Sequence, residues 1–144
     1  MGVTVPDEVA QLLTDEPVVA HLATCRDGRP HVAPLWFRYV GLTDVPDDQS
    51  DEDREVIEIM TTGRKLADLR ANPRVALSVQ QDEDGHPNWR VVLRGTATVI
   101  EDSDETRAAN RAINRRYGAD DPDAWLDENT LVRVAVGSVS HETY

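Results

Sequence analysis

The segment 61–65, Thr-Thr-Gly-Arg-Lys, combines two hydroxyls, a glycine and two cations directly after an apolar, strand-like run. Lys65 is the only lysine among the 144 residues. A helix that begins here would aim free backbone N–H groups and the positive end of its dipole into the turn. Arg64 adds a planar fork of donors, and Lys65 adds a flexible point charge. The segment is therefore predicted to hold a phosphate group; the simpler alternative is a solvated basic pair at a helix start.

A second candidate for ligand contact is the segment 29–37, which contains Pro34 within a β-like run. Proline cannot donate to a strand ladder, so Pro34 indicates a sheet edge, a bulge or a ligand beside the backbone. The small Ala33 next to it would admit a flat ligand. An edge strand without any ligand fits the same pattern equally well. Trp36 and Phe37 are more typical of core or interface aromatics than of stacking platforms.

The charge balance argues against a polyanionic partner. The chain carries 27 acidic and 15 basic residues, for a formal net charge of −12. Proteins that bind nucleic acid usually present basic stripes, so we expect no nucleic-acid partner. Abundant acids, arginine in place of lysine and a single phenylalanine are typical of proteins from halophilic archaea, whose acidic surfaces are screened by salt. An ordinary acidic protein from a GC-rich genome is the alternative.

The remaining composition favours a reduced cytoplasmic protein. No apolar run approaches the roughly 20 residues that span a bilayer, and residues 1–8 lack a signal-peptide pattern. Cys25 has no disulfide partner, and the four histidines show neither metal-ligand spacing nor an evident partner. The length favours a single domain, residues 1–144, with a core that needs no disulfide or metal. We therefore expect no metal site and no membrane step.

Apolar periodicity predicts three helices, at 6–13, 63–71 and 104–117, the last with Ser103 as its N-cap. It also predicts six strands, at 18–24, 30–40, 55–61, 75–80, 89–101 and 130–139. Asp27-Gly28 predicts a hairpin turn that includes Cys25, Gly95 predicts a bend, and 41–54 and 81–87 predict solvated connections. The pattern indicates a mainly β (α+β) antiparallel barrel with short flanking helices.

Six short motifs occur in a fixed order along the chain: 21–24 (His-Leu-Ala-Thr), 27–31 (Asp-Gly-Arg-Pro-His), 34–37 (Pro-Leu-Trp-Phe), 61–65, 72–77 (Asn-Pro-Arg-Val-Ala-Leu) and 94–97 (Arg-Gly-Thr-Ala). In this order and spacing they resemble the pyridoxamine 5′-phosphate oxidase-like flavoproteins of the FMN-binding split-barrel fold. The resemblance runs from about residue 8 to residue 101.

The resemblance implies a homodimer of split β-barrels with FMN at the subunit interface. The strand at 33–36 would line the isoalloxazine with backbone groups, and the basic pair after the two threonines would bind the 5′-phosphate. Arg90 would match a polar residue that reaches the flavin of the partner subunit. The cofactor-binding residues implied in this way are Ala33, Pro34, Leu35, Trp36, Thr61, Thr62, Arg64, Lys65 and Arg90.

The segment 132–144 departs from the family pattern, because it lacks the arginine-rich ending with which pyridoxamine phosphate oxidases grip their substrate. We therefore expect no synthesis of pyridoxal phosphate. No nucleophile and base are evident, which suits a flavin enzyme, since the isoalloxazine carries the redox chemistry. We expect an FMN-dependent oxidoreductase acting on an unidentified small molecule. The alternatives are a reductase that uses a deazaflavin coenzyme, a non-catalytic flavin store, redox sensor or haem-binding protein, and a ligand-free acidic interaction domain.

Overall fold

The computed structural model describes residues 4–43 and 54–144. These residues form three helices, α1 (Asp7–Asp15), α2 (Gly63–Ala71) and α3 (Ser103–Arg116). They also form seven strands: β1 (Ala20–Arg26), β2 (Arg29–Leu35), β3 (Phe37–Thr43), β4 (Arg54–Thr61), β5 (Arg74–Glu83), β6 (His86–Ile100) and β7 (Thr130–Thr143). The strands pair antiparallel in one sheet, in the order β2-β1-β5-β6-β7-β4-β3. The fold is the mainly β split barrel with short flanking helices that the sequence predicts.

The predicted strand 30–40 is wrong, because the chain forms two strands that separate at Trp36. β2 pairs with β1, whereas β3 pairs with β4, and these two strands are the outermost ones of the sheet. Consecutive strands therefore lie at opposite edges, and the chain changes partners within a single residue. Because the junction is so short, the alternation of apolar residues continues through it, and the pattern alone shows no break.

Two Asp-Gly pairs form the tightest turns of the sheet. Asp27 and Gly28 have φ values of 52° and 75° and join β1 to β2, which confirms the predicted hairpin. Cys25, however, lies in β1 rather than in the turn. Asp84 and Gly85, with φ values of 51° and 83°, join β5 to β6 in the same way. The predicted connection 81–87 is therefore too long, since both strands continue into it.

The other predicted loop, 41–54, lies only partly within the described residues: its first three residues belong to β3 and its last to β4, while 44–53 lie outside them. The predicted bend at Gly95 is confirmed by a register shift between β6 and β7. A Cβ atom at Gly95 would lie 2.2 Å from the backbone oxygen of Ala135, so only glycine fits there. The predicted N-cap of α3 is wrong by one residue, because the Asp102 carboxylate accepts from the Glu105 N–H at 2.9 Å.

The barrel interior is filled by alternate residues of the strands, among them Leu22, Phe37, Ile59 and Leu93, all of which are buried. The nine-residue helix α2 packs its Leu69 against this core. The α3 side of the sheet has a smaller apolar cluster, formed by Ile100, Ala109 and Leu131. β7 lies within the sheet and pairs with both β4 and β6.

Glu58 is one of the charged residues that are buried within this framework. Glu58 on β4 exposes only 2% of its surface. Its Oε1 accepts hydrogen bonds from Arg38, and its Oε2 accepts one from Arg133 Nε at 3.0 Å. Arg133 also donates to Glu105 at 3.2 Å, which links β4 and β7 to α3. Both oxygens of this buried carboxylate are therefore satisfied, as a buried charge requires.

Candidate functional site

A basic cavity of about 440 Å³ lies between the β1–β2 hairpin and α2, and the residues that line it are Arg26, Asp27, Arg29, Arg64 and Asp68. The hairpin register places the last residue of β1 opposite the first residue of β2, so two arginines flank the turn. The first turn of α2 contributes the third arginine. The site is formed by two rigid elements that are more than thirty residues apart in the chain.

Asp68 connects the two sides of the basic cavity. It exposes 1% of its surface, and its Oδ2 accepts from the Thr24 hydroxyl at 3.3 Å. Arg26 Nε lies 3.3 Å from Oδ1, and Arg64 Nε lies 3.7 Å from Oδ2. Oδ1 has no hydrogen-bond partner among the described residues. The two guanidinium groups are therefore paired electrostatically with one carboxylate, while their side chains remain 45% and 59% exposed.

The start of α2 offers further uncommitted donors. Lys65 is half-buried and makes no hydrogen bond or ion pair with any residue that the structure describes. Thr62 occupies the N-cap position without a side-chain capping bond. The hydroxyl of Thr61, which is 2% exposed, has no partner in the described part of the chain. This end of α2 therefore has the donor set of an anion site.

A second cavity, of about 280 Å³, is apolar and aromatic; the residues that line it are Leu35, Trp36, Met60, Asn110, Ile113, Asn114, Trp125 and Asn129. Trp36 packs against Tyr117 with 4.6 Å between ring centroids. It also meets Trp125 edge-on at 5.8 Å. Trp125 has a φ of 61° and is 53% exposed, so its ring forms an accessible wall of this cavity.

Two buried amides hold the loop that carries Trp125. The side-chain nitrogens of Asn110 and Asn114, both on α3, donate to the carbonyl oxygens of Pro122 and Ala124 at 2.9 to 3.4 Å. Buried amide donors need such partners, and here the partners belong to the loop backbone. The wall of the aromatic cavity is therefore fixed by α3 and not by the sheet alone.

Two chain segments join the aromatic cavity to the basic one. Met60 lines the aromatic cavity and Arg64 lines the basic one. The four residues from Met60 to Arg64 span at most about 14 Å, even when extended. β2 has Arg29 at one cavity and Leu35 at the other, a length of about 20 Å at 3.3 Å per residue. The arrangement can accommodate one ligand that has a flat ring at one end and an anionic group at the other.

The structure distributes the predicted contact residues over three places. Leu35 and Trp36 line the aromatic cavity, whereas Arg64 lines the basic one. On β2, which is an edge strand, Ala33 is half-buried and Pro34 is exposed. The edge position is one of the explanations that a proline in a strand allows.

Arg90 lies apart from the other predicted residues. It is exposed on β6, three strands from β2 in the sheet order, or about 14 Å at the usual strand spacing. Its guanidinium pairs with Glu142 at 3.0 Å, and this hydrogen bond raises the pKa of Arg90. A flavin contact from Arg90 would therefore have to reach another subunit, and it stays a prediction.

The sequence did not indicate Arg26, Asp27 or Asp68 as residues of the basic cavity, and it indicated Arg29 only as the first residue of the candidate segment 29–37. Signals for them exist. Arg26 and Arg29 flank the Asp-Gly turn, and a two-residue hairpin turn places its flanking residues side by side. Asp68 follows Arg64 by four residues, the spacing at which helical side chains meet.

The expectation that the four histidines lack partners is wrong for one of them, since His141 Nε2 lies 3.0 Å from Glu8 Oε1. Within residues 4–43 and 54–144, no group of three or more His, Cys, Asp or Glu side chains is arranged to hold a metal ion. None of the helices described above is long and apolar enough to cross a membrane.

The family model described as pyridoxamine 5′-phosphate oxidase matches residues 5–141. The chain belongs to this family. Its motifs at 21–37 and 61–77 supply the hairpin, α2 and the adjoining strand that surround the basic cavity. Among the curated proteins, none matches the sequence.

Solved structures agree with the family assignment. An F420 reductase is 27% identical, with a TM-score of 0.70, over 94% of this chain and 98% of its own. An FAD-binding protein from Mesorhizobium loti is 22% identical, with a TM-score of 0.68, over 96% and 95%. A conserved hypothetical protein from Mycobacterium tuberculosis is 20% identical, with a TM-score of 0.75, over 98% and 86%. The last two likenesses show the fold alone.

Proposed function

We propose that this protein is a flavin-dependent oxidoreductase that binds FMN and acts on a small organic substrate. The observation that carries the proposal is the pair of cavities, one aromatic and one basic, that lie at the two ends of the segments 29–35 and 60–64. A ring that lies along β2 near Pro34, Leu35 and Trp36 would have its phosphate near Arg64 and Lys65. An aromatic surface and charge-assisted donors are the groups that such a ligand requires.

The chain supplies binding and position for the flavin. Lys65 offers an ammonium that pairs with no residue in the described part of the chain, and the N-terminus of α2 offers backbone N–H groups to which Thr62 gives no side-chain cap. The hydroxyls of Thr61 and Thr62 lie beside them, and that of Thr61 is buried with no partner within residues 4–43 and 54–144. When bound, the flavin supplies the redox chemistry, so no protein acid or base is required to carry electrons.

The substrate is proposed to differ from pyridoxamine 5′-phosphate. The only arginine of the segment 130–144 is Arg133, which is 9% exposed and is bonded to Glu58 and Glu105. It cannot bind a substrate phosphate without giving up its hydrogen bond to the buried Oε2 of Glu58. Trp125, whose exposed ring forms one wall of the aromatic cavity, is the better candidate for contact with a small planar substrate beside the flavin.

A homodimer is part of the proposal. Ala20, Leu22 and Thr24 point into the barrel, so the alternate residues His21 and Ala23 point outward. Val32 pairs with Ala23 in the register and is 60% exposed. This uncharged outer surface of β1 and β2 is where two acidic chains can meet with least repulsion, and Arg90 faces the same side of the sheet.

The dimer can be tested by sedimentation at several protein concentrations. Val32→Asp should shift the population toward monomer, because it buries a carboxylate in the proposed interface. Leu42→Asp, at a residue of β3 that is 67% exposed, is the matched control and should leave the mass unchanged. A monomeric parent protein would overturn this part of the proposal.

A deazaflavin coenzyme is the second candidate ligand. It is supported by the 27% identity to an F420 reductase over nearly the whole of both chains. Both coenzymes present a flat tricycle and a phosphate, so the two cavities suit either of them. A binding-only role, as a flavin store or sensor, is distinguished from both by the lack of turnover.

Ligand binding can be tested by titrating FMN and the deazaflavin coenzyme separately into the folded protein in molar salt, with the visible spectrum as the readout. Binding of either coenzyme, followed by turnover with reduced nicotinamide or reduced deazaflavin as donor, is the expected result. Binding without turnover would favour the sensor or store. If neither coenzyme binds to the folded protein, the proposed function is wrong.

Lys65→Ala should weaken FMN much more than riboflavin, which lacks the phosphate. A lost charge-assisted contact costs roughly 1.5 to 3 kcal/mol, or about ten- to a hundredfold in affinity. Arg70→Ala removes a cation from the other end of α2, where it pairs with Glu101, and should leave both affinities unchanged. Equal weakening of FMN and riboflavin in Lys65→Ala would mean that the lysine does not contact the phosphate.

A further inference from the structure

The basic cavity contains more cations than the start of α2 supplies. We propose that Arg26 and Arg29, from the β1–β2 hairpin, bind the oxyanion group of the ligand together with Arg64, and that Asp68 positions the guanidinium groups. The ligand chemistry is that of a phosphate monoester. The proposal rests on the proposed function for the source of this phosphate, although the cavity itself can be tested without a flavin.

The hairpin holds its two arginines in a fixed relation. Arg26 and Arg29 are paired in the β1–β2 register, and the two turn residues between them both have positive φ values. A two-residue turn of this kind matches the twist of its strands, which makes the hairpin end rigid. Two guanidinium groups on such a support lose less freedom on binding than two on a flexible loop.

Asp68 leaves most of the donors of its arginines available. Each guanidinium has five N–H donors, and Arg26 and Arg64 each approach Asp68 through Nε. The terminal nitrogens are thus not required by this carboxylate. Three arginines and two aspartates line the cavity, and one of the aspartates is buried beneath it, so the accessible charge is positive in a chain of net charge −12.

The hydrogen bonding of Asp68 is incomplete, and this points to a ligand rather than to a purely structural ion pair. The side chain is 1% exposed, yet Oδ1 has no hydrogen bond from the described residues, and the Arg64 contact is long at 3.7 Å. Buried carboxylates that serve structure alone normally have their oxygens satisfied. A phosphate that drew Arg26 and Arg64 together over Asp68 would complete the network.

The arginines can be tested with Arg26→Gln and Arg29→Gln, with Arg115→Gln as the control. Arg115 is exposed on α3, outside the cavity, and its replacement gives the same change in net charge. We expect each cavity variant to weaken FMN at least about tenfold while riboflavin changes less than about twofold. The control should change neither. Equal losses in all three variants would mean that only net charge matters and would overturn the proposal.

Asp68→Asn tests the positioning role, because the two possible roles of Asp68 predict opposite changes in the affinity for FMN. If Asp68 merely repels the anion, removing its charge should tighten FMN. If it positions Arg26 and Arg64, the neutral amide should weaken FMN several-fold and leave riboflavin unchanged. Asparagine has nearly the same shape and still accepts from Thr24, and an unchanged unfolding transition verifies the fold. Tighter binding of FMN would overturn the positioning role.

Binding of inorganic phosphate tests the basic cavity independently of flavin binding. In calorimetry, the parent protein should bind phosphate, and Arg26→Gln should abolish the binding. If this occurs while no flavin binds, the cavity is an oxyanion site and the flavin proposal fails. If FMN binds through its phosphate but Arg26→Gln and Arg29→Gln leave it unchanged, the proposed function stands and the hairpin site is wrong.

Discussion

Two buried carboxylates, Glu58 and Asp68, each lie between two arginines, yet their surroundings differ. Both oxygens of Glu58 accept hydrogen bonds, and its partner Arg133 is itself 9% exposed and is held by Glu105 as well. Asp68 accepts one hydrogen bond from a hydroxyl, and its arginines are about half exposed.

The difference separates a structural ion cluster from a candidate ligand site. At Glu58 both carboxylate oxygens are satisfied within the protein, and neither this carboxylate nor Arg133 lines the basic or the aromatic cavity. At Asp68 the carboxylate is buried as deeply, but the cations above it face a cavity and retain free nitrogens. Burial of a charge is therefore a weak guide to function, whereas incomplete pairing of a buried charge is a stronger one.

The largest effect on stability is expected for Glu58→Ala. Among the described residues it leaves the buried Arg133 with Glu105 as its one ion-pair partner, and breaking a buried ion pair costs about 3 kcal/mol or more. Urea unfolding measures the loss. Glu101→Ala, which removes an exposed pair with Arg70, should cost under about 1 kcal/mol. A loss of similar size in both variants would contradict a structural role for the Glu58 cluster.

Asp68→Ala should destabilise less, by about 1 kcal/mol, because Arg26 and Arg64 can turn to water and only the Thr24 bond is lost. The measurement is the same urea transition, compared with that of Glu58→Ala. If Asp68→Ala lowered the free energy of unfolding more than Glu58→Ala, the main role of Asp68 would be structural. The contrast between the two clusters would then disappear.

Salt should affect the two clusters differently. The unfolding midpoint of the parent protein should rise with salt, because screening relieves the repulsion of a net charge of −12. The destabilisation by Glu58→Ala should stay constant, since buried pairs are screened little, whereas that of Asp68→Ala should shrink. A parent midpoint that does not respond to salt would remove the halophile interpretation.

The smallest effect on stability is expected for the exposed ion pair of Arg111 and Asp123. Its contribution is a baseline against which the two buried clusters can be compared. The hydrogen bond from Arg111 lowers the pKa of Asp123. A lowered folded-state pKa contributes stability that is present above the unfolded value of about 3.9 and is lost as the pH falls below it. Thermal unfolding of Arg111→Gln should therefore differ slightly from the parent at pH 6, and the difference should shrink as the pH falls through the lowered folded-state pKa of Asp123. A gap that widens toward acid would contradict this assignment.

The regular parts of the fold could be predicted from the sequence because their signals are local. The Asp27-Gly28 turn, the bend at Gly95 and the bounds of α2 each follow from the conformational needs of a few residues. The junction at Trp36 could not be predicted, since it depends on which distant strand each half pairs with. Apolar alternation is the same whether one strand or two carry it.

The candidate site shows the same division. Lys65 and Arg64 were identifiable because they adjoin each other in one segment. Arg26 and Asp68 were not, since they meet only when the hairpin packs beside α2, 42 residues apart in the chain. The amide contacts that hold Trp125 were equally hidden, because Asn110 and Asn114 look like ordinary polar residues of an exposed helix.

The position of β7 has a consequence for how the chain is assembled. Translation produces β1 to β6 first, and each of the pairs β1–β2, β3–β4 and β5–β6 can form locally. β4 and β6 must then wait with open edges until residues 130–143 leave the ribosome and join them. Open edges invite pairing with other chains, so the interval before β7 arrives is when this protein is most exposed to aggregation.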